Sequence, residues 1–200
     1  MEFSRAENQA FDSLFRFGGF PEVFLKQDVR ALRRWHAERP ERLIKEDVRE
    51  IENVRDLSAL QVLVELLPKK VGGLFSLNSL REDLLVTHKT ISLWVAILEK
   101  FYYHFRVYPF RASIIKSLRK EPKLYLWDWS EIEDEALRLE NMVAGHLLKF
   151  CHYLCDVDGY KAQLYYLRDI EQREVDFLLA IGGKPWFCVE TKASFKNIPA

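Results

Sequence analysis

Four charged residues in the last third of the chain have the types and spacing for metal-assisted phosphoryl chemistry: Glu140, Asp176, Glu190 and Lys192. Asp176 lies in the apolar run EVDFLLAI, and fourteen residues later Glu190 and Lys192 stand one residue apart in PWFCVETKA. A strand's period of two puts Glu190 and Lys192 on one face. A regular turn at Gly182-Gly183 would bring Asp176 to a similar height on the neighbouring strand. Phosphodiester hydrolysis needs carboxylates to hold Mg²⁺, which polarises the phosphoryl oxygen and activates water, and a cation near the developing charge. Asp176, Glu190 and Lys192 are therefore the catalytic candidates, and Glu140, Asp176 and Glu190 the magnesium candidates. The bland alternative pairs Glu190 with Lys192 across a strand face and leaves Asp176 to cap a turn. Against it, burying three charges in an apolar strand pair is costly, and a metal site is the usual reason for doing so.

These residues need elements to position them. EIEDEALRLENMVAGHLLKFCHYLC predicts a long amphipathic helix, with Leu137, Val143, Leu147, Leu148 and Phe150 on its apolar face and acidic residues early, as the helix dipole favours. AQLYYLRD, REVDFLLAI and PWFCVETKA read as three strands, separated by turns at Asp169 to Arg173 and at Gly182-Gly183. A helix followed by a strand meander is the core of a restriction-endonuclease-like α/β domain, assigned to residues 130–200. Before it, residues 56–129 carry a stripe of Leu57, Leu60, Val62, Leu63, Leu66 and Leu67 that ends at Pro68. A short helix in LFSLNSLREDLLV follows, with Ser76 or Asn78 as cap. The next helix, capped by Thr87, repeats Ile91, Trp94, Val95, Leu98 and Phe101 at helical spacing. Two strand-like runs, HFRVYPF and KLYLWDW, complete the order of a winged helix-turn-helix. Its recognition helix would offer His88, Lys89 and Thr90 to DNA. The wing RASIIKSLRKEPK would add Arg111, Lys116, Arg119, Lys120 and Lys123. Winged helices also serve as protein-protein modules, so both roles stay open. Residues 1–55 read as a helical segment broken at Gly18-Gly19 and Pro21, with a further boundary at Pro40. The fold class expected is α+β or α/β.

Composition sets the outer bounds. With 48% apolar and 14% aromatic residues the chain can bury a core. A net charge of zero argues against a polybasic binder but permits a local basic face. Nine basic against four acidic residues fall between Arg81 and Lys123, and twelve acidic against eight basic from Glu131 to Ala200. Three cysteines give no disulfide framework, which suits a reducing cytoplasm. Cys151 and Cys155 beside His152 read better as core residues than as metal ligands. Trp94, Trp127, Trp129 and Trp186 are expected in the core or at its rim. Neither a membrane span nor a signal-peptide core is present, so a soluble, cytoplasmic protein is expected.

Taken in order, GGFPE, RDL, HKTISLWVAILEKFYYHFRVYPF, EPKLYLWDWS, RLENMVAGHLLK, YLRD with REVDF, and VETK resemble successive motifs of a prokaryotic family. This is the domain of unknown function found C-terminal to an AAA-type ATPase module in many bacterial and archaeal proteins. The resemblance runs from about Phe15 to Lys192. It implies a winged helix joined to a PD-(D/E)xK nuclease-like domain with Mg as cofactor. Motif by motif it gives RLEN as the source of Glu140, REVDF of Asp176, and VETK of Glu190 and Lys192. No GxxxxGK[ST] phosphate loop occurs, so an ATP site is not expected in this chain. The chain is then expected to be a C-terminal fragment of a longer ATPase or a truncated gene, its nuclease-like domain stopping soon after Lys192. Two functions follow as expectations: a Mg-dependent nuclease-like domain steered to DNA, or a non-catalytic module that assembles with an ATPase partner or a second copy of itself. A metal-independent transcription regulator is a third option, in which the C-terminal carboxylates would have no task.

Overall fold

The computed structural model of the chain describes residues 5–48, 56–110, 120–169, 171 and 173–192. These form a helical N-terminal part followed by a sheet-containing part, a mixed α+β arrangement of seven α-helices and one five-stranded sheet. By internal contacts the described residues divide into two units. One takes them from 1–69, 77–104 and 126–133, the other from 70–76, 105–125 and 134–200.

The helical unit contains α1 (Arg5–Phe17), α2 (Pro21–Lys26), α3 (Val29–Arg42), α4 (Leu57–Leu66), α5 (Leu77–Asp83) and α6 (His88–Lys100). Its boundaries follow capping chemistry. Pro21 opens α2, where its missing N–H costs nothing. Asp28, Asp56 and Thr87 cap α3, α4 and α6, accepting from the amides of Ala31, Ala59 and Thr90. The helix α5 starts directly after Ser76. Leu60, Leu63, Ile91, Trp94, Val95 and Leu98 are buried as their spacing requires, whereas in α4 Val64 is buried and Val62, expected on the stripe, is exposed. Pro40 departs from expectation, lying inside α3 rather than ending it. Its ring removes one backbone donor, and two residues later the chain loosens into a π-helical turn at Leu43–Val48. The Gly18-Gly19 break admits the segment at 128–130. A Cβ on Gly18 (φ +77°) would lie 2.7 Å from Asp128 Oδ1, and one on Gly19 would lie 2.8 Å from the Trp129 ring.

The sheet unit holds most of β1 (His104–Pro109) and β2 (Lys123–Leu126), then α7 (Glu135–Asp156), β3 (Ala162–Arg168), β4 (Glu174–Ile181) and β5 (Lys184–Val189). The strand order is β2-β1-β3-β4-β5. Strand β1 runs parallel to β3, with Tyr108 opposite Tyr165, so the two strands read as the hairpin of a winged helix lie in one sheet with β3, β4 and β5. The apolar β1 and the fully buried β2 explain this, because such strands need cover that a projecting hairpin lacks. The chain at 71–75 lines β2, with Gly72 N–H donating to Leu124 O and Phe75 N–H to Pro122 O.

The buried face of α7 also differs from the expected one. Asn141, Met142, Ala144, Cys151 and Leu154 face inward, whereas Leu137 and Phe150 are exposed at 36% and 37%. Small Ala144 and Cys151 are buried beside the larger Met142 and Leu154, and the expected Val143, Leu147 and Leu148 are half-buried at the edge of this face. Trp94 and Trp129 are buried and Trp127 is half-buried, while Trp186 is half exposed. The three cysteines are free thiols.

Candidate functional site

The strands β4 and β5 bring Asp176 and Glu190 together through a register change. Gly182 and Gly183 both have positive φ, as a tight two-residue hairpin requires. The register at that turn pairs Ile181 with Lys184 and Ala180 with Pro185, and continued unchanged it would set Asp176 against Val189. Between Leu179 and Ala180 the ladder shifts by one residue, leaving Trp186 without a partner, and from there Phe177 faces Val189. Pro185, which has no N–H to give the ladder, stands where the shift occurs. The next pair outward is then Asp176 and Glu190, and the Asp176 N–H points to Glu190 Oε2 at 3.4 Å.

The side chains at this strand end form a small network. Asp176 Oδ2 accepts from the Thr191 amide at 2.8 Å and from its hydroxyl at 2.7 Å. Lys192 Nζ donates to Glu190 Oε1 at 2.6 Å, and that bond holds the Lys192 pKa above the ordinary lysine value. The three charges are not buried, as the sequence suggested: Asp176 is half-buried, and Glu190 and Lys192 are exposed just past the end of β5. Each carboxylate keeps lone pairs beyond these bonds. Carboxylates on adjacent strands are the hard oxygen donors that Mg²⁺ takes, one or two at a time with several waters. Among the described residues no group of three or more His, Cys, Asp or Glu gathers at metal-holding distance. Asp176 and Glu190 are the two carboxylates that meet at this strand end.

Glu140 has other partners. It projects from the second turn of α7, and its Oε1 accepts from Tyr125 Oη at 2.7 Å and from Lys123 Nζ at 3.3 Å. Lys123 also meets Glu174 Oε1 at 2.6 Å. Lys123, expected on an exposed wing, is 3% exposed. Burial opposes its charge, but Glu140 and Glu174 outweigh that and its pKa lies above the usual value. Burial raises the Glu140 carboxyl against the pull of Lys123 and Tyr125, and the charge of Asp176 adds to the rise. Sequence reading missed Lys123 and Tyr125 as members of this cluster. The available signal was KLYL, where a lysine starts an otherwise apolar strand.

The residues expected to contact DNA divide differently. At the start of α6, His88 and Lys89 are exposed, while Thr90 is engaged with its cap Thr87. Lys120 is exposed. Arg111, Lys116 and Arg119 lie outside the described residues.

The helical unit has a polar cluster of its own. Asp128, fully buried, accepts from Trp35 Nε1 at 2.6 Å and from the Ser130 amide at 3.1 Å. Glu131 accepts from Arg39 at 3.0 Å and from Tyr103 Oη at 2.9 Å. Burial, reinforced by Asp128 and opposed by Arg39, pushes the Glu131 carboxyl up to about 7.

Residues 8–131 match the pattern of a domain of unknown function, DUF8612. Residues 138–200 match that of a second domain of unknown function, DUF4143. No curated protein and no solved structure matches the chain. No helix among the described residues is long and apolar enough to cross a membrane.

Proposed function

This chain belongs to the family defined by the domain of unknown function DUF8612, whose description supplies no activity, and we propose from its sheet-end geometry that it is a nuclease-like, phosphodiester-directed module. The observation that carries the reading is the pairing of Asp176 with Glu190 at the open end of β4 and β5, with Lys192 on the same carboxylate. Asp176 and Glu190 would hold Mg²⁺, which when bound polarises a phosphoryl oxygen and lowers the pKa of its water. The Thr191 amide and hydroxyl fix the rotamer of Asp176, and the Asp176 N–H orients Glu190. Lys192 then contributes positive charge where the phosphoryl oxygens gather charge during displacement. Exposed His88, Lys89 and Lys120 have the chemistry to contact a DNA backbone. The motif resemblance supports work alongside an AAA-type ATPase supplied by other residues or another chain.

Calorimetric titration of Mn²⁺ or Mg²⁺ into wild type, Asp176→Ala and Glu190→Ala tests the site. Binding by the wild type that both substitutions abolish is the expected result, followed by divalent-dependent cleavage in a panel of DNA forms. A folded wild type that takes up no ion sinks the reading. One feature favours a second reading, a module that docks a protein partner: Phe150 stacks on half-exposed Trp186 at 6.2 Å beside exposed Tyr153, giving the sheet unit an open aromatic surface.

A further inference from the structure

Lys123 is the one charged side chain of the sheet unit among the described residues that is more than nine-tenths buried. Taking an ammonium out of water costs several kcal/mol unless good partners surround it. It is surrounded. Glu140 from α7 lies at 3.3 Å, Glu174 from β4 at 2.6 Å, and the Tyr166 ring centroid at 5.8 Å. Glu174 and Asp176, two apart on β4, share a face. The acidic charge at this end of the sheet thus comprises Glu140, Glu174, Asp176 and Glu190. Lys192 neutralises Glu190 from the solvent side, and Arg168 approaches Glu174 at 3.8 Å. Among the described residues only Lys123 joins the helix carboxylate to a strand carboxylate. Glu140, largely buried, is the carboxylate of this group for which a cation close by matters most.

Building on the reading of Asp176 and Glu190 as an ion site, we propose that Lys123 is a positioning residue acting as a built-in cation: seated on Glu140 and Glu174, it fills the place a second divalent ion would take and limits the sheet end to a single ion. Glu140 is on this account a partner of Lys123 and Tyr125 and not a metal ligand in the wild type. Without Lys123, Glu140 would keep the Tyr125 hydroxyl and Glu174 the more distant Arg168, and two carboxylates freed of their ammonium form a hard-oxygen pair suited to Mg²⁺ or Mn²⁺.

Mn²⁺ stoichiometry, read by paramagnetic resonance of the free ion and by calorimetry, tests this in wild type, Lys123→Met, Glu190→Ala and the double variant. The expected counts are one ion per chain for wild type, two for Lys123→Met, none for Glu190→Ala and one for the double variant. In chelator, Lys123→Met should unfold at lower denaturant than wild type, and Mn²⁺ should restore its midpoint, which a purely structural lysine would not allow. Lys123→Arg should keep the wild-type count. The proposal is overturned if Lys123→Met takes up no more ions than wild type. Should Lys123→Met not fold in chelator, Lys123→Gln is measured beside it, and failure of Mn²⁺ to refold either variant also overturns the proposal. A wild type that binds nothing beside a Lys123→Met that gains an ion would remove the phosphodiester reading and keep the role of Lys123.

Discussion

Two pairs of acidic residues, one in each unit, are held in opposite ways. In the helical unit, Asp128 and Glu131 sit among donors from several elements: the Trp35 indole, the Ser130 amide, the Tyr103 hydroxyl and the Arg39 guanidinium. Arg39 itself lies over the Phe20 ring at 4.5 Å, which closes the cluster with apolar surface. In the sheet unit, Asp176 and Glu190 take local donors from Thr191 and Lys192, and Glu190 remains open to water. A buried carboxylate enclosed by donors fastens chain segments together. A strand-end carboxylate with lone pairs to spare and access to solvent can do chemistry. The difference separates an acidic group that carries stability from one available for function.

Stability measurements can break that comparison, the largest effect being expected in the helical unit. Asp128→Ala leaves the Trp35 and Ser130 donors buried without their acceptor and should cost about 2–4 kcal/mol, read as a lower urea midpoint. Gly18→Ala forces a Cβ to within 2.7 Å of Asp128 Oδ1 at positive φ, and should cost about 1–3 kcal/mol in the same assay. Glu131 adds a pH signature. Its folded pKa of about 7 lies above the ordinary glutamate value of 4.5, so the folded state binds more protons between those values. Its contribution is complete below pH 4.5 and lost as pH rises through about 7, on the order of 3 kcal/mol in all. Urea titrations across that range should show the decline, and Glu131→Gln should flatten it.

The sheet unit should respond in function rather than stability. Glu190→Ala should change the unfolding free energy by about 1 kcal/mol or less, since it removes only exposed contacts, while abolishing ion binding. A loss as large as that of Asp128→Ala would make Glu190 structural and erase the contrast. Inserting one residue between Cys188 and Val189 moves Val189 and Glu190 one position further along the ladder and is expected to set Asp176 against Val189. The outcome to look for is a folded protein, by circular dichroism, that no longer takes up Mn²⁺.

Much of the architecture was legible in the residues. Caps and apolar spacing placed α4 and α6, and alternation with Gly-Gly placed β4 and β5, because these signals are local and each acts within one turn of helix or one hairpin. Other expectations failed where a distant partner decides. The strands of the expected winged-helix hairpin joined the sheet because β3, more than fifty residues away, pairs with β1. The basic Lys123 turned inward because Glu140 and Glu174 are waiting there. The face of α7 was misassigned because the side that the rest of the unit covers carries Met142, Ala144, Cys151 and Leu154 rather than Leu137 and Phe150.

By itself the sequence determined the identity and spacing of Asp176, Glu190 and Lys192, the helices and strands that carry them, and the absence of a phosphate loop from the 200 residues. Tertiary structure alone decided that Asp176 meets Glu190 and not Val189, and that Glu140 belongs to Lys123. The reason is physical. Periodicity fixes which face of its own element a residue occupies, whereas opposition across strands depends on the summed register, which one bulge at Pro185-Trp186 shifts by a full residue.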